Sequence, residues 1–169
     1  MSNKIAVLKT KAHVDKMNTG LDAKYRASMS KALTSILSDT YRMTIKSQLY
    51  HWNVVGPLFK PLHELTEEHY NALFKATDIV AERIRALGHL APIELADAAN
   101  FAPRSSSVRN GTSEEMIEDL ITDHESAARA IREAATRADE KGDVVTTDML
   151  TDRLAFHEKA LWMLRAHIS

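Results

Sequence analysis

Five Gly and four Pro are the only strong helix breakers in 169 residues, and most of them fall between long periodic stretches rather than inside them. Apolar residues in those stretches recur three or four positions apart, the signature of helices with one buried face. Such a chain has little to make strands from, so an all-α fold is expected. Its length suits one domain with a sizeable core. No run approaches the ~20 apolar residues of a membrane span, and the N-terminus has no apolar signal core, so neither membrane nor export is expected. Cysteine is absent, which excludes disulfides and thiolate metal ligands and is compatible with a reducing cytoplasm.

Four long helices emerge. The first is expected from about Leu21 to Asn53, capped by Asn18 or Thr19, with Met29, Leu33, Ile36, Leu37, Tyr41, Ile45 and Leu49 on its apolar face. Residues 54–61 break the pattern, and Pro61 suits the start of a second helix running from about Leu62 to Leu87, with Gly88 as its stop. A long connection over 88–112 carries Pro92, Pro103 and three serines, with a short helix expected from Ile93 to Ala99. Thr112-Ser113-Glu114-Glu115 has capping-box spacing and opens the third helix, which Gly142 ends. The fourth spans about Val144 to His167. Two helical hairpins joined by one long crossover describe a ferritin-like four-helix bundle over 21–168, preceded by an arm over 1–20.

The second helix carries two stripes. Leu62, Leu65, Leu73, Ala76, Val80, Ile84 and Leu87 form a core face. A second line, His63, Glu67, Tyr70, Phe74, Asp78 and Glu82, is aromatic at its centre and ligand-like at its ends. His63 and Glu82 lie ~28 Å apart along such a helix, too far to share one metal ion. Yet the four ligand types are placed symmetrically about a point between residues 72 and 73. An antiparallel copy about a two-fold axis there puts His63 opposite the partner's Glu82 and Glu67 opposite the partner's Asp78. Asp78 and Glu82 are otherwise an unfavourable i,i+4 like-charge pair that a cation relieves. The short turn after the first helix brings His51 to the same end as His63. Mixed N/O ligation without sulfur suits Fe²⁺, Mn²⁺ or Zn²⁺. No Glu-x-x-His, the internal ligand motif of di-iron bundles, occurs anywhere, so any metal must sit elsewhere. His13, His69, His89, His124, His157 and His167 lack converging partners in sequence and read as structural or surface residues. Trp162 reads as core, and Asp119, Asp123 and Glu125 as a solvated helix face.

The run Tyr50-His51-Trp52-Asn53-Val54-Val55-Gly56-Pro57-Leu58-Phe59, then His63, then Asp78-Ile79-Val80-Ala81-Glu82-Arg83-Ile84 and Leu87-Gly88, resembles the Dps family of mini-ferritins. Phe156 to Leu164 extends the likeness toward the C-terminus. The resemblance implies a hollow dodecamer with ferroxidase centres at two-fold interfaces. There Fe²⁺ is oxidised, preferentially by hydrogen peroxide, and stored as ferric mineral, protecting DNA. His51 and His63 match ligands from one subunit, and Asp78 and Glu82 those of its partner. Glu67 stands where the family often has Asp. Trp52 matches a tryptophan beside the centre, an electron donor to peroxide. Carboxylates near the turn before the fourth helix, here Asp143 and Asp148, line iron-entry pores in the family.

Two rival readings remain at this stage: a DNA-compacting protein in which iron oxidation is secondary, and a manganese- or zinc-binding shell without redox chemistry. Net charge is −1, but residues 1–24 hold five lysines against two aspartates while the rest carries a balance of −4. Lys4, Lys9, Lys11 and Lys16 are the expected phosphate contacts of a cytoplasmic, nucleoid-associated protein. Deleting residues 1–16 is expected to abolish gel-shift retardation of DNA at low salt while sparing iron oxidation. Retardation unchanged by the deletion would place the DNA surface on the bundle.

Overall fold

The computed structural model describes residues 12–92 and 111–169. Four helices form: α1 (Ala23–Asn53), α2 (Phe59–Ala86), α3 (Ser113–Glu140) and α4 (Val144–Ala166), with no strand among the described residues. The α1–α2 and α3–α4 hairpins are antiparallel. Ser113 Oγ donates to the Val55 carbonyl (2.9 Å), so α3 starts at the end where α1 turns into α2. The end of α2 and the start of α3 therefore lie at opposite ends of the bundle. The short helix expected over 93–99 lies outside the described residues.

Helix ends follow local chemistry, with two differences from expectation. The α1 cap is Asp22, not Asn18 or Thr19; its carboxylate accepts from the N–H groups of Lys24 and Tyr25. α2 starts at Phe59, so Pro61 lies inside its first turn, where the missing N–H costs no helical bond. The capping box of α3 forms as expected: Thr112 Oγ1 accepts from Glu115 N–H, and Glu115 accepts from Thr112 N–H. Gly88 ends α2 at φ +90°, and a Cβ there would meet the Asp15 carbonyl and Met17 at 2.7 Å. Part of the stretch expected to be a free arm is thus bound to the bundle: Asp15 N–H donates to Gly88 O (2.8 Å) and Arg85 pairs with the Asp15 carboxylate (3.1 Å).

Every residue expected on the α2 core face is buried. The core itself has two parts. One joins Met29, Leu33, Leu37, Leu73, Ile84, Ile131 and Leu150; the other joins Tyr50, Val54, Leu62, Leu65, Ile117, Leu120 and Leu164. Between them lies a polar waist. Lys46, 4 % exposed, crosses from α1 to Asp119 and Asp123 of α3 at 2.9 and 2.6 Å, and Tyr50 donates its hydroxyl to Asp119. Burial depresses the Lys46 ammonium, but hydrogen bonds and charge from both aspartates outweigh it and raise its pKa. Asp119 and Asp123 are therefore held inward by an ammonium, not on the solvated face expected from sequence.

On the other side of the waist, His69, His124 and His157 are all buried. His124 and His157 share a hydrogen bond between their Nδ1 atoms (3.0 Å), and His69 meets His124 edge-on at 5.2 Å between ring centres. His69 Nδ1, His124 Nε2 and Ser47 Oγ have no hydrogen-bond partner. Burial, then the Arg153 charge, lowers the His157 pKa to about 4; burial and its two neighbours lower that of His124 well below 6.5. These histidines are thus neutral in the native bundle and protonated in the unfolded chain below pH 6.5, so stability falls as pH drops from about 6.5 toward 4. The slope is about 1.4 kcal/mol per pH unit for each histidine. Denaturation midpoints at pH 7 and pH 4.5 should differ markedly, and His124→Leu with His157→Leu should shrink the difference.

Candidate metal centre

Tyr50 and Val54 on one side of the α1–α2 turn, and Leu62 and Leu65 on the other, pack into the same core cluster. That anchoring brings the backbone at residue 51 against the backbone at residue 63. His51 Nδ1 donates to the His63 carbonyl, and His63 Nδ1 donates to the His51 carbonyl, each at 2.8 Å. The rings stack at 3.7 Å between centres, 18° from parallel. A carbonyl only accepts, so both Nδ1 atoms carry hydrogen, and each neutral ring keeps its lone pair on Nε2. Metal-ligating histidines are commonly fixed in this way, with the second nitrogen donating to a carbonyl. The Phe59 ring (centres 5.1 Å apart with His63) and the Tyr70 ring (centres 5.4 Å apart with His51, near-perpendicular) flank the pair.

The candidate carboxylates lie along α2 from that pair. Glu67 is exposed one turn beyond His63, with the Tyr70 hydroxyl 3.4 Å from Oε1. Asp78 and Glu82 are exposed farther along and do not reach the histidines of their own chain. Among the described residues, no three His, Asp or Glu side chains of one chain are grouped to hold a metal ion. Between the two ends of the line, Phe74 is 61 % and Ile79 48 % exposed, beside a groove that Asp78 also borders. Trp52 is 65 % exposed next to His51 in sequence.

Other expected residues stand differently. Asp143, expected to line a pore, is buried: Arg83 donates to it (2.7 Å), as do Tyr25 (2.8 Å) and Thr146 (2.6 Å). Burial raises its pKa, but these hydrogen bonds prevail and lower it. Its oxygens are committed to capping α4 and tying it to α1 and α2, so a pore role does not fit. Asp148 is exposed. Trp162, expected in the core, is 69 % exposed. Lys16 is exposed, and Lys4, Lys9 and Lys11 lie outside the described residues. No described helix is long and apolar enough to cross a membrane.

Residues 30–169 match the ferritin-like domain family, which places the chain among the ferritin-like proteins. A DNA protection during starvation protein of Helicobacter pylori is 30% identical over 138 residues, covering 81% of this chain and 96% of its own. A low temperature-induced protein of Nostoc is 37% identical over 158 residues, covering 90% and 87%. Dps from Thermosynechococcus elongatus superimposes with a TM-score of 0.80 at 29% identity, covering 87% and 94%. The Dps protein of Vibrio cholerae, described as a ferritin-like diiron-carboxylate protein, does so with a TM-score of 0.81 at 25% identity, covering 95% and 100%. Within the ferritin-like proteins the chain belongs to the Dps family.

The His51–His63 lock has a direct test. His63→Ala removes one imidazole donor and the ring stacked on the other, while the His63 carbonyl that fixes His51 remains. Its Co²⁺ affinity should fall at least about tenfold by calorimetric titration, while the far-ultraviolet helical signal persists.

Proposed function

We propose that this protein oxidises Fe²⁺ at centres shared between two copies and stores the ferric product inside a closed shell of its copies, twelve in the arrangement the family suggests. The reciprocal His51–His63 lock is the observation that carries the reading. It supplies two oriented imidazoles at a surface, and the carboxylates able to complete the set are displayed on the same helix for a partner.

In this reading His51 and His63 bind Fe²⁺ through Nε2. Asp78 and Glu82 of the partner neutralise its charge and favour the ferric product, which harder oxygen ligands hold better. Glu67 joins them from the histidine-bearing chain. Two Fe²⁺ give up one electron each, and with two protons one hydrogen peroxide becomes two waters. Taking both electrons together avoids the hydroxyl radical that one-electron reduction releases. Exposed Trp52 stands close enough in sequence to supply an electron when only one iron is loaded. Asp148 remains the candidate for attracting Fe²⁺ toward the shell, through the field that several copies create together.

Protection of DNA follows from removing iron and peroxide, and the basic arm adds weak, multivalent phosphate binding. A DNA-compacting protein in which iron oxidation is secondary, and a shell that binds Mn²⁺ or Zn²⁺ without redox chemistry, are the alternatives. Anaerobic Fe²⁺ titration followed by separate additions of peroxide and air decides among them. Oxidation should be fast with peroxide and slow with air, and His63→Ala and Asp78→Ala should each suppress it. Binding without oxidation by either oxidant would contradict the proposal.

A further inference from the structure

We infer that Tyr70 is a positioning residue of this centre: its hydroxyl steadies the Glu67 carboxylate and its ring edge steadies the His51 imidazole. The inference rests on the proposed ferroxidase centre and assigns a role to a residue that is not itself a ligand. Tyr70 sits two turns beyond His63 on the same helix line, half-buried, and touches one candidate ligand on each of two helices. Its ring meets His51 at 79°, edge toward face. That contact limits the rotation left to a ring already fixed at Nδ1.

Toward Glu67 the contact is polar. The phenol lies 3.4 Å from Oε1, a long bond. Bonds around a site without its substrate are often long and tighten when the site is filled. The phenol O–H is the donor in this contact, since a carboxylate oxygen accepts. Donation to Oε1 leaves Oε2 for a cation. Glu67 needs such help because glutamate has one more rotatable bond than the aspartate that the family often carries at this place. Ordering that bond costs side-chain entropy, which an anchoring donor offsets.

The test is a double-mutant cycle on the assembled protein. Tyr70→Phe keeps the ring edge and removes only the hydroxyl. Co²⁺ affinity should drop about fivefold, the worth of one hydrogen bond, with KM for Fe²⁺ rising and kcat little changed. In a Glu67→Ala background the same substitution should have no further effect. Glu67→Asp should restore most of the affinity lost in Tyr70→Phe, since the shorter carboxylate no longer needs the anchor. Wild-type affinity in Tyr70→Phe, an equal loss in the Glu67→Ala background, or loss of assembly in Tyr70→Phe would each overturn the inference. A His63→Ala protein that binds Co²⁺ normally would overturn the centre itself, and the role of Tyr70 with it, a result distinct from the others.

Discussion

Two hydrogen bonds exchanged across one turn, from His51 to the carbonyl of residue 63 and from His63 to the carbonyl of residue 51, organise the functional end of this molecule. They close the α1–α2 hairpin and satisfy two backbone carbonyls. The same bonds decide which nitrogen of each ring is left for a metal. Structure and ligand chemistry are therefore set by one interaction. In the proposed centre the rest of the coordination sphere comes from a second copy of the chain. The exposed line along α2, with Phe74 at its middle and carboxylates at its far end, has the symmetry to provide it.

The polar waist is the counterpart inside the bundle. Related folds place metal ligands between facing helices. Here the α1–α3 side of the waist holds a fixed cation, the Lys46 ammonium between Asp119 and Asp123. The α2–α3–α4 side holds three neutral imidazoles. Lys46 needs both aspartates to remain charged at 4 % exposure, because a buried unpaired ammonium is costly. With these groups in place Asp119 and Asp123 are committed to Lys46, and the ion pair ties α1 to α3 inside the bundle.

Much of this was legible in the sequence. Period and breaker positions placed all four helices within a few residues, because an amphipathic stripe is a one-dimensional property. The line His63, Glu67, Tyr70, Phe74, Asp78 and Glu82 was legible as a face outside the core for the same reason. What failed was anything set by the partner helix. His69 falls in the core stripe between Leu65 and Leu73, His124 between Leu120 and Ala127, and His157 between Leu150 and Leu164. Three histidines at core phase were a signal, but periodicity alone does not say that they meet. Asp143 looked like one of several acidic turn residues until Arg83 and Tyr25, 60 and 118 positions away in sequence, were brought to it. Trp162 looked like core by residue type, yet it lies on the open side of α4.

The central claim is that the centre needs two chains, each giving a different half. A mixture of two inert proteins measures this most directly. One carries His51→Ala with His63→Ala and lacks the imidazoles; the other carries Asp78→Ala with Glu82→Ala and lacks the carboxylates. Each alone should oxidise Fe²⁺ no faster than buffer. Co-assembled in equal amounts, they should regain about a quarter of the wild-type centres, since random pairing about a two-fold axis makes that fraction whole. A mixture as inert as its parents, or a parent that is active alone, would contradict a centre shared in this way.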